Sequence, residues 1–213
     1  FHASHIWSLG SLLVPLVLSP TGLPAGEVEV TRDIVFGKGD DVELHLDLAR
    51  PVGLSEPTPC IVVIHGGAWR HGDKSSHLNE IRRFAEEGYV SATIQYRLCP
   101  EHRFPAAIDD SASAWRWLHE QASDLQIDSA RLGVAGDSAG GNLSAVICLL
   151  ERDKGGRQPD FQLLLYPGTD MTMSQPSIEE NAEGYLTTKE LLEWFIDHYV
   201  PDHDHDHHRY SDH

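Results

Sequence analysis

The chain has 213 residues, enough for one domain with a substantial core. Its 16 Lys and Arg against 33 Asp and Glu give a formal charge of −17, a balance that repels phosphate backbones and anionic lipid headgroups and so argues against nucleic acid or a membrane surface as partner. Three cysteines, Cys60, Cys99 and Cys148, are too few and too odd in number for a disulfide scaffold and read as free thiols.

In chain order, Ile6 to Leu18 is an apolar run broken by Gly10 and Pro15. It is too short for a membrane span, so residues 1–26 read either as the remnant of a signal peptide, which implies a secreted or periplasmic protein, or as an N-terminal lid segment of a cytoplasmic one. From Val28 to Phe36 and from Val42 to Ala49 the residues favour strands. In the second, Val42, Leu44, Leu46 and Leu48 alternate with Glu43, His45 and Asp47, which predicts one buried and one solvated face. Gly37 to Asp41 reads as the turn of an antiparallel hairpin.

At Cys60 the pattern changes. Cys60-Ile61-Val62-Val63-Ile64 is continuously apolar, as expected of a strand covered on both faces. A helix marked by Leu78, Ile81, Phe84 and Ala85 follows, then a strand over Val90–Gln95, a longer helix from Pro105, and the strand Arg131–Ala135. After this come a helix carrying Leu143, Val146, Ile147 and Leu150, and a strand over Phe161–Tyr166. Strands alternating with helices imply a parallel sheet with right-handed crossovers, so the fold class is α/β, a mostly parallel sheet with an antiparallel N-terminal hairpin over residues 27–200. Thr187-Thr188-Lys189-Glu190 reads as a capping box opening a last helix, and residues 201–213 form a His/Asp-rich tail expected to be disordered.

Two stretches carry chemistry. Gly136-Asp137-Ser138-Ala139-Gly140-Gly141-Asn142 lies between a strand and a helix and fits G-x-S-x-G, a turn so sharp that its flanking positions must be nearly free of side chain. The turn lifts the Ser138 hydroxyl clear of the sheet and leaves the Ala139 N–H at a helix N-terminus, suited to a developing oxyanion. His65-Gly66-Gly67-Ala68-Trp69 directly follows the buried strand, and its glycines let backbone N–H groups approach a substrate oxygen. Ser138 is thus the expected nucleophile, with Gly66, Gly67 and Ala139 as the expected oxyanion hole. Asp137 should diverge from the serine and support the loop.

These residues, together with Tyr96-Arg97-Leu98-Cys99-Pro100-Glu101, Phe104-Pro105-Ala106-Ala107 and Leu165-Tyr166-Pro167, resemble the hormone-sensitive-lipase-like esterases of the α/β-hydrolase fold. The resemblance runs from about Val28 to Tyr199. It implies a serine carboxylesterase acting on short acyl esters, with no metal and no organic cofactor, and with His65 and Ala68 shaping the oxyanion loop instead of acting as base. Ala68 stands where the family has a third glycine. Two other readings stay open: a receptor-like member that binds a small molecule without turnover, and an amidase of the formamidase type.

The triad order on this fold is Ser, then Asp or Glu, then His. The family places its acid and base beyond two further strands, so the chain reads as incomplete at its C-terminus, with the triad Asp and His expected after residue 213 and the last strands missing. One internal acid, Asp170, follows the strand Phe161–Tyr166, with a histidine of the 203–213 tail as its conceivable partner.

Overall fold

The computed structural model describes residues 26–200, so the N-terminal apolar run and the His/Asp-rich tail lie outside the described residues. The hairpin forms from β1 (Val28–Gly39) and β2 (Val42–Pro51), turning at Asp40-Asp41. The turn is shorter than the glycines predict. Gly37 to Gly39 stay in the ladder, with irregular register between Val35 and Gly37, and Asp40 takes the left-handed conformation at φ 49°.

The remaining elements are β3 (Thr58–Ile64), a 3₁₀ turn (Lys74–His77), α1 (Leu78–Glu86), β4 (Val90–Ile94), α2 (Ala106–Glu120), β5 (Ile127–Asp137), α3 (Ala139–Asp153), β6 (Phe161–Leu165), α4 (Pro176–Glu180) and α5 (Lys189–Tyr199). They build one six-stranded sheet in the order β1-β2-β4-β3-β5-β6. β1, β2 and β4 pair antiparallel, whereas β4, β3, β5 and β6 run parallel, as crossover connections require.

β3 shows why its sequence had to be apolar throughout. Cys60, Val62 and Ile64 face the larger core formed with Trp115 and Leu118 of α2 and Leu143 and Ile147 of α3, while Ile61 and Val63 face Ile81 and Ala85 of α1 on the other side. Burial pushes the Cys60 thiol up to about 12, so it is an inert packing group.

The structure corrects two local expectations. Asp47, placed by alternation on the solvated face, is wholly buried: Lys74 Nζ lies 2.7 Å from its Oδ1 and Arg32 Nε 2.6 Å from its Oδ2. His45, on the same face, is only partly exposed. The cap of α5 is Thr188, whose hydroxyl accepts from the Leu191 N–H at 3.2 Å, one residue later than the box read from Thr187 and Glu190. A capping box does form elsewhere, where the Asp73 and Ser76 side chains cap the 3₁₀ turn reciprocally. At the β6 edge, Phe161, Leu163 and Leu165 expose an apolar row.

Candidate active site

The loops that follow β3, β4, β5 and β6 all lie at the carboxyl edge of the parallel strands, where an open α/β sheet forms its crevice. Ser138 caps α3 at φ 50° and ψ −117°, a conformation that costs a non-glycine residue about 1–3 kcal/mol and persists only when its surroundings impose it. Here they do. The Ser138 N–H donates to Leu165 O at 2.9 Å and its carbonyl accepts from the Asn142 N–H at 3.0 Å. The absent side chains are equally necessary, since a Cβ on Gly136 would stand 2.3 Å from Gly140 O and one on Gly140 would stand 2.0 Å from Ile64 O.

The loop after β3 is braced from inside. His65 is buried and stacks on Tyr96 with ring centroids 4.3 Å apart, and the Tyr96 hydroxyl donates to His65 O at 2.9 Å. His65 Nδ1 lies 2.7 Å from Gly66 O; because a carbonyl only accepts, Nδ1 carries the hydrogen and Nε2 is left buried without a partner. Burial lowers the His65 pKa and the bond to Gly66 does not fully offset it, so the ring stays neutral. His65 is thereby held in the loop through Nδ1 and its stacked ring face. Ala68 and Trp69 both take left-handed backbone, at φ 52° and 56°, which turns the chain over the elbow. Trp69 then stacks on Tyr199 of α5, with centroids 4.4 Å apart and planes 5° from parallel.

One of the expected oxyanion donors is already engaged. The Gly66 N–H donates to Asp137 Oδ1 at 3.0 Å, so the carboxylate beside the serine consumes it. By contrast, the N–H groups of Gly67, Ala68 and Ala139 donate to no acceptor among the described residues. Sequence reasoning counted the glycines of the loop and could not register that Asp137 would occupy the first; the supporting role expected of Asp137 is the same fact seen from the other side.

A cavity of about 550 Å³ opens above Ser138 and Ala139, bounded on one side by Ala68 and Trp69 and on the other by Met171, Met173, Ile178, Leu192, Phe195 and Ile196. Its size and mostly apolar wall suit a small uncharged organic molecule. Asp170 also lines it, but its oxygens accept four bonds from the backbone and hydroxyl groups of Thr172 and Ser174, between 2.5 and 3.0 Å. Partial burial raises the Asp170 pKa; these bonds together outweigh it and hold the carboxyl below the usual value. No histidine lines the cavity among the described residues, and none of them groups three or more metal-ligating side chains at one point. Nor is any described helix long and apolar enough to cross a membrane.

The sequence profile of the alpha/beta hydrolase fold matches residues 61–212. Among curated proteins, the chain is 43% identical to the carboxylesterase NlhH of Mycobacterium tuberculosis over 152 residues, which is 71% of this chain and 48% of that one. It is 33% identical to the gibberellin receptor GID1 of rice over 200 residues, covering 85% of this chain and 54% of the receptor. Among solved structures, the ester-hydrolase EH1AB1 from the metagenome of Lake Arreo superposes with a TM-score of 0.73 at 38% identity, over 84% of this chain and 56% of that one. The chain therefore spans about half the length of the relatives it matches.

Proposed function

The chain belongs to the alpha/beta hydrolase fold family, and on that premise we propose that the protein hydrolyses small carboxylic esters through an acyl-enzyme on Ser138. The observation that carries this reading is the strained serine at the floor of an apolar cavity, with uncommitted N–H groups on both sides of it. Ser138 Oγ attacks the ester carbonyl, and the oxygen of the tetrahedral intermediate takes hydrogen bonds from Gly67, Ala68 and Ala139. Collapse expels the alcohol, which leaves with a proton, and water then attacks the acyl group to release the acid and restore the hydroxyl. Backbone donors fixed before the reaction are worth about 10²–10³ in rate apiece. His65 and Tyr96 hold the donor loop, and Asp170 orders the wall after β6. Chain order on this fold assigns the triad acid and histidine to positions after Ser138.

The test is hydrolysis of p-nitrophenyl acetate by the intact protein. Ser138→Ala should reduce kcat by about 10³-fold or more, because triad function is strongly cooperative; an unchanged rate would overturn the assignment. In the same assay Asp170→Asn should stay within about threefold of the parent, since its carboxylate is spent on Thr172 and Ser174. A larger loss with stability intact would instead make Asp170 the triad acid. The likeness to a gibberellin receptor supports a second reading, binding without turnover. Under that reading the parent itself hydrolyses neither phenyl acetate nor N-formyl aromatic amides, and Ser138→Ala leaves ligand affinity unaltered.

A further inference from the structure

The carboxylate next to the elbow serine is gripped from two sides. Asp137 Oδ1 accepts from the Gly66 N–H at 3.0 Å and from His77 Nε2 at 2.9 Å, partners 71 and 60 residues away in the chain. A Cβ on Gly66 would lie 2.5 Å from Asp137 Oδ2, so the loop backbone rests directly on the carboxyl group. Since a carboxylate only accepts, His77 Nε2 carries the hydrogen, while its Nδ1 lies 3.6 Å from Glu80 Oε2 and makes no hydrogen bond.

His77 is itself presented from a fastened platform. It ends the 3₁₀ turn whose Lys74 reaches Asp47 of β2 and Asp33 of β1, each at 2.7 Å, and whose Asp73 caps the Ser75 N–H at 2.6 Å. The hairpin edge of the sheet is thus tied to the residue that precedes Ser138.

We propose that His77 is a positioning residue: by holding Asp137 Oδ1 it fixes the Gly66 peptide, and with it the Gly67 and Ala68 N–H groups, relative to Ser138. This rests on the reading of Ser138 as nucleophile. A carboxylate with one backbone donor still rotates about its side-chain torsions; a second donor from a separate element removes that freedom. Oxyanion donors act only at a fixed geometry, and displacement of about 1 Å costs on the order of 10²-fold. The hydrogen bond from His77 also draws charge away from a carboxylate next to a site where negative charge develops.

The intact protein decides this with His77→Leu, His77→Gln and Ser138→Ala. His77→Leu should lower kcat for p-nitrophenyl acetate by about 10- to 100-fold with KM within threefold, and should slow phosphonylation of Ser138 in parallel. His77→Gln, which retains an N–H donor, should recover most of both. Hydrogen exchange in the peptide spanning residues 64–69 should quicken in the leucine variant and return in the glutamine one, a readout independent of turnover. Equal exchange in all three proteins, or a leucine variant within twofold of the parent in kcat, overturns the proposal. Should Ser138→Ala retain full hydrolysis, the reading of Ser138 as nucleophile falls, whereas the exchange result still judges the clamp.

Discussion

Gly140→Ala should unfold or inactivate this protein, although it adds only a methyl group in the first turn of a helix, where alanine is ordinarily favoured over glycine. The added carbon would lie 2.0 Å from Ile64 O and 2.6 Å from His65 O. Both are backbone atoms at the end of the central strand, so no rotamer change relieves the clash. Either α3 withdraws from β3 or the loop after β3 is displaced. The expected cost is about 3 kcal/mol or more, a drop in Tm of roughly 6–12 °C for a chain of this size, with the proposed ester hydrolysis lost along with the elbow. Gly37→Ala, where nothing lies within 4 Å, supplies the contrast and should stay within about 1 kcal/mol of the parent. Thermal unfolding of the two variants side by side checks this, and equal melting temperatures would mean that α3 and β3 are not packed as described.

The second large effect is expected at Lys74. Its side chain is only 10% exposed, and its ammonium lies 2.7 Å from both Asp33 and the fully buried Asp47. Lys74→Met leaves Asp47 inside the protein with the half-exposed Arg32 and the Asp33 N–H, which donates to Oδ1 at 2.9 Å, and breaking such a buried pair costs about 3 kcal/mol. Because the penalty is that of a buried charge stripped of one of its two cations, Asp47→Leu combined with Lys74→Met should be less damaging than either change alone. Chemical denaturation of the three variants reads this directly.

The same cluster sets a pH dependence. Burial pulls the Lys74 pKa down, but the bonds that its ammonium donates to Asp33 and Asp47 prevail and raise it above the ordinary 10.5. A raised lysine contributes stability that is complete below 10.5 and disappears as pH climbs through the folded-state value. Asp33 has the opposite sign: bonded to Lys74, it titrates below 3.8, so its contribution is present above that pH and fades on acidification. Lys74→Met should therefore flatten the alkaline limb of the stability profile.

Much of this architecture was readable because each element declares itself locally. The unbroken apolar run of β3 could only be a strand covered on both faces, and its two sets of alternating residues do reach α2 and α3 on one side and α1 on the other. The elbow was legible because Gly136, Ser138 and Gly140 stand within five consecutive residues and answer to one backbone geometry. What escaped notice depends on partners far apart in sequence. Alternation assigned Asp47 to water because nothing within β2 signals that Lys74 will arrive to neutralise it. Likewise Gly66 looked like an oxyanion donor until Asp137 took its N–H, and His77 carried no mark of importance at all, since its partner lies 60 residues away.

That long-range grip has a consequence for how sequences of this kind can drift. Positions 66, 77 and 137 form one mechanical unit although they belong to three separate stretches of chain. A side chain at 66 meets the carboxyl group at 2.5 Å, a shorter acceptor at 137 no longer spans the gap, and a residue without a donor at 77 releases the far end. Substitutions at these sites should therefore be inherited together or not at all, and a lineage that exchanges Asp137 for a neutral hydroxyl residue is expected to have changed residue 77 as well.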